Sequence, residues 1–587
     1  MKITLSLRSI VITALTGAVL AISLPAHAAS FTSLASGAAA RYVPGEVLVK
    51  FKPATSADAR SATVAAKGHS VFAGLNQPGW AQVKVGIGQT VETALAAYEN
   101  DPNVEYVQPN YLYHATLVPN DTQYGQLWAF KNGTSGNDMN IEPAWNHIRD
   151  CSSVVVAVVD TGVNYNQEDL AGNMWTGNAN HGWDYAGGVP MDLNGHGTHV
   201  AGIIGAAGNN GTGTTGVCWQ ASIMAVRVLD AAGSGSTATI ISGINFAVAN
   251  GAKVINMSLG GGSSGGSSDA LFSAAITNAQ NNDVVVVVAA GNDGVNNETT
   301  PTLPCNFTQQ NIVCVAALDQ NYALASFSNY GSTSVDVGAP GTNILSTWAG
   351  AETVIEDNFS TGWTKTTTNG GGWTNITNAG TPFLVNPSTY DLGTYKNNTV
   401  DRAYKTFSLT GDAAVFEAYA IINVLNGDYF RVAHKNAAED PFVGGTIDSS
   451  VTNMATYPNF VFGSSDITSC IISASCTIGF ELDSDTTLAS RGLAIGFFSI
   501  HTLTLNTASY NTISGTSMAT PEVAGLAAML RAYNGPQYTY TDTVNAIKNG
   551  GRTAGSLNGK TTTGKAIDVM KSLAYINPPT GLTAAVH

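Results

Sequence analysis

The chain has 587 residues, which is too long for one ordinary hydrophobic core, so about three or four domains are expected. Only 11% of the residues are charged, 63 are glycine, and the formal net charge is −15. An acidic chain without a basic block argues against nucleic acid or an anionic membrane surface as a partner.

The first 28 residues are predicted to be a secretory signal peptide. Lys2 and Arg8 precede a short apolar stretch that ends in the small-residue cleavage signal Ala26-His27-Ala28. The alternative, a membrane anchor, is disfavoured by the shortness of this stretch, and no later apolar run is long enough to span a bilayer. We therefore expect a secreted protein, extracellular or periplasmic in transit, with no membrane span in its mature form.

Residues 29–118 are predicted to form a small α/β domain. Strand-like segments (EVLVKF, AQVKVG, VEYVQPNY) alternate with helix-like segments (ATSADARSATVAAKG, TVETALAAYEN). This alternation predicts a ferredoxin-like βαββαβ unit. An independent binding domain is the alternative interpretation.

Residues 119–350 and 507–577 are predicted to form one α/β domain. Continuous apolar runs, as expected for buried parallel strands, alternate with helical stretches: VVVAVV, SIMAVRVL, KVINMSL, VVVVVAA and IVCVAA. The pattern predicts a doubly wound parallel sheet, which binds ligands beyond the carboxyl ends of its strands. Asp160, Ser258 and Asn292 all follow such ends.

Residues 351–506 interrupt this domain and lack helical periodicity. Strand-like runs separated by turn residues predict an inserted all-β sandwich or jelly roll: AVFEAYAIINV, YFRVAH, FVFG, CTIGFELD and LAIGFFSI. Its edges are weakly similar to secreted modules that bind carbohydrate or protein. Residues 578–587 are expected to be a C-terminal linker.

The six cysteines are disulfide candidates if the protein is exported. Closeness along the chain favours Cys305–Cys314 and Cys470–Cys476, which leaves Cys151–Cys218, but the sequence does not choose between the connectivities. Buried free thiols are the alternative. The absence of a Cys-x-x-Cys motif or Cys/His cluster argues against zinc.

Three short motifs carry candidate catalytic residues. Asp160 lies in VVAVVDTGV, His196 in NGHGTHVAG and Ser517 in ISGTSMATP. A serine hydroxyl needs a base within hydrogen-bond reach, and a carboxylate can orient that base. The sequence therefore predicts an Asp-His-Ser triad at one edge of the sheet.

These motifs, with AAGN at 289–292, resemble the subtilisin family, or subtilases, over roughly residues 120–348 and 508–577. The resemblance implies a serine endopeptidase that acts on extended protein substrates. It also implies that Asn292 donates to the oxyanion beside the Ser517 N–H, and that residues 29–118 are an inhibitory propeptide, removed by autoprocessing near residues 114–119.

The same resemblance implies the substrate contacts. Two strands would hold an extended peptide by β-augmentation, and a set of small residues would line an open pocket for a large apolar side chain. The two strands are Gly233-Ser234-Gly235 and Ser258-Leu259-Gly260, and the pocket residues are Ala289, Ala290 and Gly291.

Structural calcium is the cofactor that the resemblance implies, because hard cations take carboxylate and carbonyl oxygens. The implied ligands are the side chains of Asp121, Asp169 and Asn210 and the carbonyls of Gly208, Thr212 and Thr214. A simple Gly/Asn turn is the alternative, and a second site at Asp184 and Asp192 is a weaker prediction.

A different class of function remains open from the sequence alone. The alternative is a surface or carbohydrate-binding protein that acts mainly through residues 351–506, although a complete triad with its oxyanion donor argues against a degenerate protease scaffold.

Overall fold

The structure is a computed structural model that describes residues 42–111, 118–262, 269–369, 372–378, 381–386, 395–424, 427–452, 460–473, 475–487 and 492–575. The predicted signal peptide and C-terminal linker lie outside the described residues. Among those described, no helix has the length and apolar character needed to cross a membrane.

The N-terminal domain has the predicted ferredoxin-like βαββαβ fold. Its elements are β1 (Tyr42–Phe51), α1 (Ala57–Ala66), β2 (Ser70–Gly74), β3 (Trp80–Lys84), α2 (Val91–Glu99) and β4 (Val104–Tyr111). The sheet order is β2-β3-β1-β4 with antiparallel neighbours. The sequence did not indicate β2, since its side chains are mostly exposed and form no apolar pattern.

The first part of the central α/β domain supplies most of its parallel strands. Its elements are β5 (Asp150–Asp160), β6 (Gly182–Asp184), α3 (His196–Gly205), β7 (Gln220–Arg227), α4 (Thr237–Ala249), β8 (Val254–Met257), β9 (Gly261–Gly262), α5 (Ala270–Asn281), β10 (Val285–Ala289), β11 (Thr302–Leu303), β12 (Ile312–Leu318) and β13 (Val337–Pro340).

The inserted region is all-β. Its strands are β14 (Ile344–Glu356), β15 (Thr364–Thr367), β16 (Thr374–Asn378), β17 (Thr381–Asn386), β18 (Val400–Phe407), β19 (Ala413–Asn423), β20 (Tyr429–Lys435), β21 (Thr446–Val451), β22 (Phe460–Asp466), β23 (Cys476–Asp483) and β24 (Gly492–Ile513). One sheet has the order β16-β17-β24-β19-β22, with β14 also on β24, and the other β15-β18-β23-β20-β21. Phe480 of one sheet and Phe498 of the other meet edge to face at 6.0 Å, so the two sheets share a core as a sandwich.

The chain then returns to the α/β domain through α6 (Thr516–Asn534), α7 (Tyr540–Gly550), β25 (Arg552–Thr553), β26 (Lys565–Ala566) and α8 (Val569–Ala574). The large sheet has the order β25-β26-β13-β12-β10-β8-β5-β7-β6, and all its pairs are parallel except β25–β26. One face packs against α3, α6 and α7 and the other against α4 and α5, which makes the sheet doubly wound as predicted.

Two long strands join the α/β domain to the sandwich. β14 and β24 pair antiparallel from Ile344↔Ile513 to Glu356↔Ser499. The pairing has one irregularity, where Trp348 pairs with Ser509 but Gly350 pairs with Leu505, so β24 carries extra residues at 506–508. Asn164 donates to the carbonyls of Ala349 and Asn506 at 2.8 and 3.0 Å and fixes this bulge. The exact boundaries predicted at 350 and 507 stay a prediction, because the strands run through them.

Three disulfides join the cysteines in the pairs that chain proximity favoured: Cys151–Cys218, Cys305–Cys314 and Cys470–Cys476. Cys151–Cys218 links the start of β5 to the segment just before β7, and Cys470–Cys476 lies within the sandwich.

Candidate active site

Asp160 and His196 form the centre of the site. Asp160 is the last residue of β5 and is fully buried, and His196 is the first residue of α3. The His196 Nδ1 lies 2.7 Å from Asp160 Oδ1, which also accepts the Thr161 N–H at 2.8 Å. Burial works against protonation of the imidazole, but the charge and hydrogen bond of Asp160 and the charge of Asp192 together outweigh it, so the pKa of His196 is raised.

Asp192 organises the loop that leads into His196. Its Oδ1 accepts the Gly195 N–H at 2.8 Å and the Thr161 hydroxyl at 2.9 Å, and its Oδ2 accepts the Thr198 N–H at 2.8 Å. Its oxygens are therefore taken by protein donors, and Asp184 faces Arg227 at 3.6 Å. The weaker prediction of a second calcium site at these two aspartates stays a prediction.

Gly195, the residue directly before the helix that begins at His196, is required to be glycine by its backbone conformation and by a close neighbour. Its φ is +111°, in the left-handed region, and a Cβ there would lie 2.4 Å from the Trp348 ring. Only glycine allows the close approach of Trp348 of β14 to the loop before His196. The neighbouring His199 is fully buried, which lowers its pKa to about 3, and its Nε2 lies 3.0 Å from the Ile344 carbonyl.

Ser517 is the second residue of α6, so its N–H is one of the first-turn donors that lack an intrahelical acceptor. Its Oγ donates to the Ser258 carbonyl at 3.1 Å, and the Ser258 hydroxyl donates back to the Ser517 carbonyl at 2.8 Å. Within the described part of the chain, no hydrogen bond joins Ser517 to His196. The structure thus pairs Asp160 with His196 and places Ser517 against the cleft wall.

Asn292 is held with its amide nitrogen free. Its Oδ1 accepts the N–H of Thr516 at 2.8 Å and the Thr516 hydroxyl at 3.0 Å. This leaves Nδ2 as a donor, with no acceptor among the described residues. The preceding Gly291 has φ +111°, and a Cβ there would lie 2.3 Å from Asn329 Nδ2. Sequence reasoning missed the roles of Thr516 and Asn329, although Thr516 belongs to the nucleophile motif itself.

A cleft of 770 Å³ runs past His196. Both predicted substrate strands line it: Gly233, Ser234 and Gly235 on one edge and Ser258, Leu259 and Gly260 on the other. Ala289 and Ala290 do not, because both are buried at the end of a central strand. Their role, and that of Gly291, as walls of a specificity pocket stays a prediction.

The predicted calcium loop surrounds two buried carboxylates, Asp121 and Asp169. Asp121 accepts the Asn209 N–H and Asp169 accepts the Thr214 N–H, each at 2.8 Å. Burial raises the pKa of both carboxyl groups, and the charge of Asp121 raises that of Asp169 further. No described lysine or arginine pairs with either of them.

The side chain of Asn210 faces Asp169, and its role as a calcium ligand stays a prediction. Its amide nitrogen donates to Asp169 at 2.8 Å, while its oxygen accepts the N–H of Thr212 at 2.8 Å within the loop's own turn. Within the described ranges, no group of three or more His, Cys, Asp or Glu side chains is placed to hold a metal, so carbonyl oxygens would have to complete the set. The carbonyls of Gly208, Thr212 and Thr214 stay predicted ligands.

The sequence matches the subtilase family model over residues 152–381 and 491–561, just over half of the chain. The chain belongs to the subtilase family. Residues 31–110 match the fervidolysin N-terminal prodomain, in agreement with the fold of the N-terminal domain.

Two named relatives, a thermophilic serine proteinase and thermitase, agree with this assignment. A thermophilic serine proteinase of Bacillus sp. is 40% identical over 311 residues, which cover 53% of this chain and 72% of that protein. Thermitase of Thermoactinomyces vulgaris is 46% identical over 207 residues, covering 35% of this chain and 68% of thermitase. A Pseudoalteromonas arctica protease of solved structure is 25% identical with a TM-score of 0.44, covering 78% of this chain and 99% of that one. This subtilase is a serine protease of the subtilisin type with an N-terminal prodomain.

Proposed function

We propose that this subtilase is a secreted endopeptidase that cleaves extended segments of proteins, with Ser517 as nucleophile and Asp160 and His196 as its base system. The observation that carries the proposal is the 2.7 Å contact between His196 Nδ1 and the buried Asp160, beside a cleft edged by two strands. With Nδ1 bound to the carboxylate, Nε2 is the nitrogen left to take a proton.

The resting hydrogen bond of Ser517 suggests how substrate would activate it. An extended peptide paired with the Ser258 edge offers an N–H to the Ser258 carbonyl, which is the acceptor that Ser517 Oγ uses at 3.1 Å. Competition for this carbonyl would free the hydroxyl to donate to His196. Hydrogen bonds of this kind are often long in apo enzymes and tighten only with substrate.

The reaction would then follow from these side chains. Ser517 Oγ attacks the scissile carbonyl carbon while His196 Nε2 takes the hydroxyl proton, and the Ser517 N–H and Asn292 Nδ2 donate to the developing oxyanion. The C–N bond breaks as His196 returns the proton to the leaving amine. Water repeats the sequence on the acyl-enzyme and releases the acid.

We infer that the N-terminal domain acts in this enzyme as an inhibitory propeptide. It matches the prodomain family and precedes the α/β domain, and a partly exposed strand, β4, ends at Tyr111 just before the predicted cleavage region. That region lies largely outside the described residues. Export and autoprocessing are parts of this proposal.

A structural calcium ion fits the Asp121–Asp169 pair. Two buried carboxylates without a cationic partner are costly, and a divalent cation would offset that cost. When bound, the ion would hold the mature N-terminus at Asp121 against the loop at 208–214. A ligand for the sandwich stays a prediction.

Intact-mass and N-terminal analysis of the wild type and Ser517→Ala tests the proposal. We expect the wild type to start near residue 120 and to cleave denatured casein, and Ser517→Ala to keep its prodomain and lack activity. Ser242→Ala, which removes an exposed hydroxyl on α4, serves as the matched control and should behave as wild type. Processing of purified Ser517→Ala with no other protease present contradicts autoprocessing, and casein cleavage by that variant contradicts the nucleophile.

A further inference from the structure

A second cavity, of 300 Å³, opens beside the catalytic cleft. Asn194, two residues before His196, lines both cavities, and Leu193, Ala231 and Trp348 line the second one. Most of its remaining wall comes from β14, β19 and β24 of the inserted region. Substrate bound in the cleft therefore has a side space that the α/β domain alone does not form.

The sandwich is fixed against the loops that edge the cleft. Ala413 and Leu503 of the sandwich pack with Ala231, which lies two residues before the substrate strand that begins at Gly233. Asp466 of β22 accepts the Ala231 N–H at 3.3 Å. These contacts hold the cavity wall in a fixed position beside the cleft.

Two carboxylates from neighbouring strands face this cavity. Glu352 of β14 and Glu417 of β19 lie on either side of His501 of β24, at 2.6 Å and 3.6 Å from its two ring nitrogens. One imidazole carries at most one positive charge, so the group keeps at least one net negative charge. No lysine or arginine is among the described residues that line the cavity.

The shape of the cavity suits a long basic side chain. Trp348, Ala413 and Leu503 offer apolar surface to an aliphatic stem, and the carboxylates lie where its cationic end would reach. The side-chain exposures of Glu352 and Glu417, 48% and 33%, leave both open to a ligand.

We propose that this cavity is an accessory subsite that binds a lysine or arginine side chain of the substrate close to the scissile bond, with Glu352 and Glu417 as specificity-determining residues. The inference rests on the proposed endopeptidase function. The occupant is part of the substrate chain because Asn194 lines both this cavity and the cleft, and it is basic because the uncompensated charge is negative.

Internally quenched peptides, varied one position at a time on both sides of the scissile bond, test this. At each position lysine is compared with norleucine, which has the same stem without the ammonium group. We expect one position at which lysine raises kcat/KM about tenfold in the wild type, mainly through KM. The ratio should shrink as salt is added.

The double variant E352Q/E417Q should bring that ratio close to one, because the lysine ammonium group loses both of its charged partners. E356Q is the matched control, because Glu356 lies on β14 outside this cavity and should leave the ratio unchanged. A wild type without any lysine preference, or a preference that survives in E352Q/E417Q, refutes the subsite while leaving the protease function intact. A wild type that cleaves none of the peptides refutes the proposed function and the subsite together.

Discussion

Glu522 is a buried acid whose protonation should make stability depend on pH. It lies on α6, directly after Pro521 and five residues after Ser517, and is 1% exposed. Its Oε2 has no hydrogen-bond partner among the described residues, and burial raises the pKa of its carboxyl group well above the usual 4.5. We predict that Glu522→Gln stabilises the protein at neutral pH and has little such effect in acid.

The sign follows from proton linkage. The folded state keeps the proton of Glu522 where the unfolded state has lost it, so this contribution to stability is complete below the unfolded pKa and is lost as pH rises toward the raised folded pKa. Each pH unit in that window costs about 1.4 kcal/mol. Glutamine does not titrate, so its advantage should grow by about 1.4 kcal/mol for each pH unit within that window.

Calorimetry across pH, in a Ser517→Ala background to prevent autolysis, measures this difference. Glu522→Gln and its parent should have Tm curves that diverge as pH rises from acid to neutral. The control variant Glu356→Gln, at an exposed position, and its parent should give parallel curves. Parallel curves for Glu522→Gln as well would mean that Glu522 ionises in the fold without cost, and the reasoning from burial would be wrong.

Three further predictions concern the site. Asn292→Ala should lower kcat about 10²–10³-fold with little change in KM, the effect known for the corresponding donor of a subtilisin; a loss under about threefold in a kinetic assay would remove it from the oxyanion site. The raised pKa of His196 should make kcat/KM fall as pH drops through it, because the base becomes protonated. Asp160→Asn should move that limb to lower pH and lower kcat by about 10⁴, and an unmoved limb would assign it to another group. Excess chelator should lower the Tm of the mature enzyme but not of Asp169→Asn, and equal shifts in both would place the calcium elsewhere.

The elements best predicted from the sequence are those buried on both sides. Strands such as β10 and β12 read as unbroken apolar runs because helices cover both faces of the sheet. β15 and β21 could not be read in this way, because their side chains are largely exposed and alternate little. The triad motifs were visible for a different reason, since each is a short local stretch with its own turn.

Contacts between distant segments left no local signal. The oxygen of Asn292 is fixed by Thr516, 224 residues away, and Glu352 meets His501 across 149 residues. Asn210 donates its amide nitrogen to Asp169 while its oxygen accepts the Thr212 N–H, and the spacing of these residues does not reveal this pair of hydrogen bonds. Such contacts depend on the tertiary fold, and only the one between Glu352 and His501 lies on the paired strands β14 and β24.

The bulge at residues 506–508 has a consequence for exchanging modules between proteases. The paired stretch of β14 and β24 forms an arm that leads from the α/β domain into the sandwich, where β24 also pairs with β17 and β19. Its base is clamped by Asn164, four residues after Asp160, and by the Glu168 N–H, which donates to the Thr507 carbonyl at 2.7 Å. A foreign domain spliced onto the arm beyond this clamp would inherit a set orientation over the cleft, whereas a splice below it would cut the anchorage of the nucleophile's own helix.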